Sequence, residues 1–205
     1  MIVTGTDTDV GKTVVASMLA LGLGLRYFKP LQCGCRPQTD VQAVQRMTGL
    51  GADKVLETPV ILTQPLSPHR SAELDGVSID LESLTPPLGR CIVEGAGGLM
   101  VPVNRNTLFI DLFAKWKRPV ILVARTGLGT INHTLMSLEA LHSRKIDVLG
   151  IVFVGDENLD TQTTLSEMGR TKVLGRVPML DKLEAENLNQ VFKRNFTRED
   201  FGTLS

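Results

Sequence analysis

The sequence predicts an α/β fold, in which a mainly parallel sheet is covered by helices on both faces. Short apolar runs rich in Val and Ile alternate with helix-like segments along the chain. Strands that are apolar at nearly every position are typical of parallel sheets buried on both faces. The length of 205 residues suffices for one well-buried domain and is too small for two. We therefore expect residues 1–205 to form a single α/β domain.

The apolar runs predict six strands, and the segments between them predict six helices. The strands are expected at 1–4, 27–31, 91–94, 120–124, 148–154 and 173–176. The helices are expected at 11–24, 40–47, 109–116, 131–143, 161–168 and 182–193. The proline-rich segment 58–87 fits neither pattern, and we expect it to form loops and helix over one rim of the sheet. Ligands of such folds bind beyond the carboxyl ends of the strands, so polar residues there are candidates for function.

Composition narrows the class of partner. Lys plus Arg and Asp plus Glu both number 22, and no basic or basic-aromatic patch predicts a nucleic-acid partner. No apolar stretch is long enough to cross a membrane. The three cysteines, Cys33, Cys35 and Cys91, form no C-x-x-C pair of the kind that binds metals. An odd number of cysteines is most simply explained by a reducing compartment, so we expect a cytoplasmic protein.

Residues 4–13, Thr-Gly-Thr-Asp-Thr-Asp-Val-Gly-Lys-Thr, lead from the end of the first predicted strand into the first predicted helix. Strand, polar glycine-containing loop and helix is the context of a phosphate-binding P-loop. Loop amides bind phosphate oxygens, Lys12 reaches the β and γ phosphates, and the Thr13 hydroxyl is placed to bind Mg²⁺. The match to G-x-x-x-x-G-K-[ST] is imperfect, because Thr6 stands at the first glycine position and Gly5 lies one residue early. An ordinary turn before a helix is the alternative interpretation.

The third predicted strand ends in a carboxylate, Glu94, followed by Gly95-Ala96-Gly97-Gly98. A Mg²⁺ ion on a nucleotide needs hard oxygen ligands, and a carboxylate at a strand end is a rigid source of one. The glycines let backbone approach a phosphate or substrate closely. A glutamate that faces solvent before a flexible turn is the alternative.

Two charged residues in the first quarter of the chain have more than one interpretation each. Lys29, at the end of the second strand, is expected to offset charge on a transferring phosphoryl group. A neighbouring cation would also lower its pKa and make it a proton acceptor, and a lysine facing water is the remaining alternative. Asp40 opens a predicted helix, where it either caps the helix or serves as a third Mg²⁺ ligand. The spacing does not distinguish the two.

All these motifs occur in the order typical of one family. The set also includes Lys29-Pro30 with Gly34, Ser67-Pro68-His69 and the segment 127–133 (Gly-Leu-Gly-Thr-Ile-Asn-His). Over about its first two thirds the chain resembles the dethiobiotin synthetases, ATP-dependent carboxylases of biotin synthesis. The resemblance implies a P-loop domain with a seven-stranded, mainly parallel sheet, and a homodimer with substrate at the subunit interface. It also implies 7,8-diaminononanoate, CO₂ or bicarbonate and ATP as substrates, with Mg²⁺ as cofactor.

The resemblance assigns roles residue by residue. Lys12 and Lys29 would be catalytic, and Thr13, Asp40 and Glu94 would surround Mg²⁺. Substrate would contact Cys33, Ser67 and Gly98. The nucleotide site would comprise Asp9, Val10, Gly11, Lys12, Thr13, Val14, Asp40, Glu94, Gly95, Ala96 and Gly97, with Pro178, Met179 and Leu180 beside the base. In the implied reaction an amine captures CO₂ as a carbamate, ATP phosphorylates it, and the second amine closes the ring.

Three positions depart from the family pattern. Asp9 replaces a common glutamate, although its backbone N–H still serves a phosphate. Cys33 stands where many members have a serine that contacts substrate, and a thiol is a weaker hydrogen-bond partner. The segment 154–157, Val-Gly-Asp-Glu, lacks the Asn-Asp pair by which some members recognise adenine. The preference for ATP over CTP or GTP therefore stays open.

The main alternative is a partitioning-type P-loop switch ATPase, which resembles the same branch of the fold. Such proteins carry a signature lysine at the position of Asp7 and often a basic surface or an amphipathic tail. This chain has aspartate at that position, and its sequence shows neither a basic surface nor an amphipathic tail. An amidotransferase synthetase acting on a cobalamin precursor would need a glutaminase domain, for which 205 residues leave no room.

Overall fold

The computed structural model describes residues 1–202, in which strands and helices alternate. In chain order the elements are β1 (Ile2–Gly5), α1 (Lys12–Leu23), β2 (Arg26–Phe28), β3 (Leu31–Cys33), α2 (Asp40–Thr48), β4 (Val60–Leu62), α3 (Pro68–Asp75), β5 (Cys91–Gly98), β6 (Pro102–Asn104), β7 (Thr107–Leu108), α4 (Phe109–Trp116), β8 (Val120–Arg125), α5 (Thr130–Ser143), β9 (Val148–Val154), α6 (Leu159–Met168), β10 (Val173–Val177) and α7 (Ala185–Asn195). A short 3₁₀ helix, Arg198–Phe201, follows α7.

The main sheet has six strands in the order β10-β9-β8-β1-β5-β2, and every neighbouring pair is parallel. Each of the six apolar runs contributes one of these strands, which confirms the α/β prediction. The resemblance implies seven strands, and that count is wrong for the main sheet. Two further pairs, β3 with β4 and β6 with β7, form separate small sheets.

The break between β2 and β3 explains part of this difference. The sequence predicts one strand over 27–31, but β2 ends at Phe28 and β3 begins at Leu31. Pro30 lies in the gap, where its lack of an N–H and its fixed φ prevent the ladder from continuing. After the break, β3 pairs with β4 from the proline-rich segment, and Lys29 is placed at the carboxyl end of β2.

Helices cover both faces of the main sheet, as predicted. Neighbouring residues of β1 enter different cores, with Ile2 in one apolar cluster and Val3 in the other. Successive strand side chains point to opposite faces, so two cores are expected for a sheet buried on both sides. The Val3 side is packed mainly by α1, α2 and α7, and the Ile2 side by α3, α4 and the end of α5. A third cluster lies between β8 and β9 and the helices α5 and α6.

Helix boundaries follow local signals closely. The observed α4 spans the predicted residues 109–116, and α1 runs between Gly11 and Gly24, both left-handed at φ 95° and 68°. The segment 58–87 forms the predicted helix, α3, and loops, but it also contributes the strand β4, which the sequence did not predict. Within residues 1–202, none of the helices has the length and apolar character needed to cross a membrane.

Candidate active site

The loop after β1 has the geometry of a phosphate-binding turn. Asp9 and Gly11 adopt left-handed backbone conformations, at φ 55° and 95°. Such residues turn neighbouring N–H groups toward the concave side of a loop, where an anion is bound. A Cβ on Gly11 would lie 3.0 Å from Val154, so glycine is required there for space as well as for φ. The Lys12 ammonium is buried in this loop and donates to the Asp7 carbonyl at 2.6 Å.

Glu94 is the centre of the site. Its Oε1 accepts hydrogen bonds from Thr13 Oγ1 at 2.8 Å and Lys29 Nζ at 3.0 Å, and its Oε2 accepts from Tyr27 OH at 2.9 Å. The partners converge because β5 lies between β1, which leads into α1, and β2. The strand continues past Glu94 to Gly98, and the carboxylate is only 1% exposed. The alternative of a glutamate facing solvent is therefore wrong.

Lys29 links the two carboxylates. Its ammonium lies 2.6 Å from Asp40 Oδ2, 3.0 Å from Glu94 Oε1 and 3.0 Å from the Gly95 carbonyl oxygen. Burial lowers the pKa of Lys29, but the charges of Glu94 and Asp40 outweigh it and hold the pKa above its usual value. The alternative of a lysine facing water is wrong, because the Lys29 side chain is buried. The raised pKa favours a charged ammonium over a proton acceptor.

Asp40 is free to pair with Lys29 because another residue caps α2. The N-cap is Thr39, whose hydroxyl accepts from the Gln42 N–H at 3.3 Å while the Gln42 side chain accepts from the Thr39 N–H at 2.9 Å. This reciprocal capping box satisfies the helix start. The capping interpretation of Asp40 is therefore wrong, and its carboxylate faces the site.

A cavity of about 630 Å³ joins most of the residues that the sequence singles out. Its lining includes Asp9, Gly11, Lys12, Thr13, Val14, Lys29, Cys33, Asp40, Ser67, Glu94, Ala96 and Gly97. The remaining lining residues are Thr8, Gln32, Pro65, Leu66, Pro68 and Val101. The P-loop therefore forms one wall, and the proline-rich segment before α3 forms another.

Other predicted residues lie outside this lining. Val10 is buried in the core, so only its backbone faces the loop, and Gly98 pairs with Gly5 in the sheet. The Gly95 carbonyl accepts from Lys29. The segment 178–180 (Pro178, Met179, Leu180) follows β10 at the far edge of the sheet. Its Met179 side chain is largely exposed.

Two of the three predicted substrate residues, Cys33 and Ser67, line the cavity. Burial raises the pKa of the Cys33 thiol to about 12, so the thiol is protonated at neutral pH. Ser67 Oγ lies 3.0 Å from Nδ1 of the half-buried His69 instead of capping α3. In the segment 127–133, Gly129 caps α5 at φ 90° and Leu128 is fully exposed. That segment does not line the cavity described within residues 1–202.

Sequence reasoning missed two residues of this network. Tyr27 is fully buried, and both burial and the charge of Glu94 raise the pKa of its phenol well above the usual value, so it remains a donor. Gln32 Oε1 accepts from the Asp40 N–H at 3.0 Å, and its Nε2 donates to the Gly34 carbonyl at 3.0 Å. The available signal was that Tyr27 is the chain's single tyrosine and precedes Lys29 by two residues.

The donor set suits a divalent cation held jointly with a nucleotide. Two carboxylates and the Thr13 hydroxyl converge, and all are hard oxygen donors. The described residues contain no cluster of three or more His, Cys, Asp or Glu that would hold a metal by itself. Mg²⁺ is typically bound by one or two carboxylates, water and substrate phosphates, so Thr13, Asp40 and Glu94 fit such an ion.

Comparison with known proteins agrees with the geometry. A family model described as an AAA domain matches residues 1–187. The protein named ATP-dependent dethiobiotin synthetase BioD from Rhodopseudomonas palustris (strain TIE-1) is 51% identical over 203 residues, covering 98% of this chain and 96% of its own length. Its namesake from Bradyrhizobium diazoefficiens is 49% identical over 207 residues, covering 100% and 98%. The chain belongs to the dethiobiotin synthetase family.

Membership confirms the resemblance drawn from the sequence and the prediction that the chain is an ATP-dependent synthetase, a ligase. A solved ParA family ATPase from Chlorobium tepidum TLS matches this synthetase with a TM-score of 0.52 and 11% identity, covering 98% of this chain and 94% of its own. That likeness shows a shared P-loop NTPase fold and nothing about switching. This comparison therefore does not favour the partitioning-type alternative, because the two groups share the architecture.

Proposed function

We propose that the chain converts 7,8-diaminononanoate, CO₂ and ATP into dethiobiotin, ADP and phosphate with the help of Mg²⁺. The observation that carries the proposal is the convergence of Lys12, Lys29 and the Glu94 carboxylate on one cavity beside a P-loop. Two buried ammonium groups next to a phosphate-binding loop suit a reaction whose demand is positioning and charge neutralisation.

The nucleotide would be held by the backbone of residues 9–14 and by the Lys12 ammonium. Lys12 lies against the Asp7 carbonyl and is close enough to the loop to move onto a phosphate oxygen. Burial lowers the pKa of Lys12, with the charge of Lys29 adding to the effect and that of Glu94 opposing it. A triphosphate would favour the charged form of Lys12, which ties nucleotide binding to the electrostatics of the site.

Mg²⁺ would be bound by Thr13, Asp40 and Glu94 together with phosphate oxygens. When bound, the ion would neutralise charge on the phosphates and orient them. In the structure, Lys29 holds both carboxylates by direct contact, so they are already gathered on one side of the cavity. The protein thereby supplies the hard oxygen ligands without a further conformational search.

The chemistry follows from substrate placement. An unprotonated amine adds to CO₂ and loses a proton to form a carbamate. A carbamate oxygen then attacks the γ-phosphorus, which gives a carbamic-phosphoric mixed anhydride and ADP. The second amine attacks the carbonyl carbon, closes the ureido ring and releases phosphate. Lys29 would neutralise charge on the transferring group as a permanent ammonium, in keeping with the direction of its pKa.

The diamine would lie between Cys33, Ser67 and the backbone at Gly98, in a homodimer. Support for an interface comes from segment 127–133, where Leu128 is fully exposed at the carboxyl end of β8. A second subunit would bury this apolar side chain. A cytoplasmic location is also part of the proposal, in agreement with three free cysteines.

The base of the nucleotide would lie toward the ends of β9 and β10, near Pro178, Met179 and Leu180. At this edge Val154 packs on the Gly11 backbone, and Arg176 Nη1 donates to the Gly155 carbonyl at 2.9 Å. The side chain of Val154 offers no hydrogen bond to a base. ATP, CTP and GTP therefore have to be compared directly.

The deciding experiment measures phosphate release by the purified protein with diaminononanoate, bicarbonate and Mg²⁺. ATP, CTP and GTP are supplied in parallel, and each reaction has a control without the diamine. We expect diamine-dependent phosphate release and a product with the mass of dethiobiotin, both lost in Lys12→Ala. Release that is equal with and without the diamine for all three nucleotides would contradict the proposal.

A further inference from the structure

The two oxygens of the Glu94 carboxylate have different partners. Oε1 faces the cavity side, where it accepts from Thr13 Oγ1 and Lys29 Nζ. Oε2 accepts from the phenol of Tyr27 at 2.9 Å, and Tyr27 is fully buried. One oxygen is therefore directed to the chemistry, and the other is held by a side chain outside the cavity lining.

The phenol is held rigidly by the backbone around it. Tyr27 lies in β2, where it pairs in register with Ile92 of β5. On the other side its N–H donates to the Lys54 carbonyl at 2.8 Å, and its carbonyl accepts from the Leu56 N–H at 2.9 Å. Because its N–H and carbonyl are both bonded to the 54–56 segment and its strand pairs with β5 on the other edge, Tyr27 cannot easily follow a movement of Glu94.

We propose that Tyr27 determines which divalent cation the site accepts, by reserving Glu94 Oε2 so that the carboxylate offers a cation only Oε1. This inference rests on the proposed use of Glu94 as a ligand. Mg²⁺ requires a small octahedral shell and usually takes one oxygen from a carboxylate, with water and phosphates completing the shell. Ca²⁺ takes six to eight oxygens and readily uses both oxygens of one carboxylate. A singly presented oxygen therefore favours Mg²⁺ over Ca²⁺.

Tyr27→Phe tests this inference, because it keeps the buried ring and removes only the hydroxyl. Calorimetry measures the dissociation constants of Mg²⁺ and Ca²⁺ for protein saturated with a non-hydrolysable ATP analogue. Loss of a partner that orients a metal ligand typically costs about 10- to 100-fold in affinity. We expect Tyr27→Phe to bind Mg²⁺ about tenfold more weakly. Ca²⁺ affinity is expected to be unchanged or increased, so the Mg²⁺-to-Ca²⁺ preference narrows.

Thr171→Val is a matched control, because it also removes one buried hydroxyl. That hydroxyl donates to the Gly169 carbonyl at 2.7 Å and has no contact with Glu94. Its cation preference should equal that of the unaltered protein. If Tyr27→Phe keeps the original ratio of the two constants, the inference is overturned while the proposed function stands. If the unaltered protein with the analogue binds no divalent cation, the Mg²⁺ ligand set of the proposed function fails instead.

A second measurement does not depend on the variant folding well. The chain has a single tyrosine, so growth on 3-fluorotyrosine labels Tyr27 alone. The ¹⁹F resonance of the labelled protein with the ATP analogue is followed as Mg²⁺ or Ca²⁺ is added. We expect different shifts for the two ions, because only Ca²⁺ competes for Oε2. A resonance that does not move, or that moves equally with both ions, would overturn the inference.

Discussion

Replacing Lys29 with methionine tests the central interaction of the site. Methionine keeps much of the side-chain volume and removes the ammonium. The substitution leaves the Asp40 and Glu94 carboxylates without their shared cation and leaves the Gly95 carbonyl without its donor. We therefore expect the variant to lose stability even before any nucleotide or metal is added.

The size of this loss follows from burial. Removing one partner of a buried ion pair typically costs about 3–5 kcal/mol. The lower end applies here, because Asp40 is 31% exposed and can turn toward water, while Glu94 keeps its bonds to Thr13 and Tyr27. A loss of about 3 kcal/mol in a chain of this size lowers the melting temperature by about 6–12 °C. Phosphoryl transfer should fall by about 10²- to 10³-fold, as when one preorganised donor is removed.

The assay is thermal unfolding without nucleotide and cation, repeated with Mg²⁺ present. Mg²⁺ should stabilise Lys29→Met more than the unaltered protein, because it replaces the missing positive charge between two carboxylates. Lys115→Met is the control, since it breaks an exposed pair with Glu82 that is worth about 1 kcal/mol or less. A melting temperature for Lys29→Met within about 2 °C of the unaltered protein would refute the reasoning about burial. Equilibrium binding of nucleotide should survive the substitution.

Further predictions concern the P-loop and the cavity wall. Lys12→Ala should reduce phosphate release by about 10²-fold or more, because it removes the ammonium nearest the expected phosphates. Gly11→Ala should lower the free energy of unfolding, measured in urea, more than Gly24→Ala does. A Cβ at either left-handed position costs about 1–2 kcal/mol. Only the Cβ added at Gly11 would also press on Val154. With a pKa of about 12, Cys33 should react with iodoacetamide at pH 8 more slowly than free cysteine, as followed by mass spectrometry. The unfolded thiol loses its proton near pH 8.5 and the folded one near 12, so stability should fall as pH rises between these values and fall less steeply in Cys33→Ser. An unchanged KM for the diamine in Cys33→Ser would remove Cys33 from the substrate site.

Local patterns predicted those elements whose buried face can be read from a short segment of sequence. The helix 109–116 was predicted because its apolar residues recur on one face, and it packs on the sheet with those residues buried. The strand 27–31 was predicted as one element because its apolar run is continuous apart from Lys29 and Pro30. The structure divides it, since a proline cannot continue the ladder and β4 offers β3 another partner.

The candidate site was predictable where its residues are neighbours in the chain. Lys12 and Thr13 follow the P-loop directly, and the loop motif places both. The sequence singled out Lys29 and Asp40 as candidates but left more than one interpretation open for each. The capping box at Thr39 leaves the Asp40 carboxylate free to face the site. The contacts of Lys29 with Glu94 and Asp40 favour its charged form.

By itself, the sequence determined the fold class, the phosphate-binding loop and a short set of polar residues at strand ends, because apolar periodicity and turn chemistry are local. The tertiary structure decided which of those groups meet. Glu94 is 81 residues from Thr13 and 65 from Lys29, and these contacts exist because β5 lies between β1 and β2. Strand order depends on how the whole chain packs, so no local pattern contains it. For the same reason the hydrogen bond from Tyr27 to Glu94, which divides the work of the two carboxylate oxygens, is visible only in the folded protein.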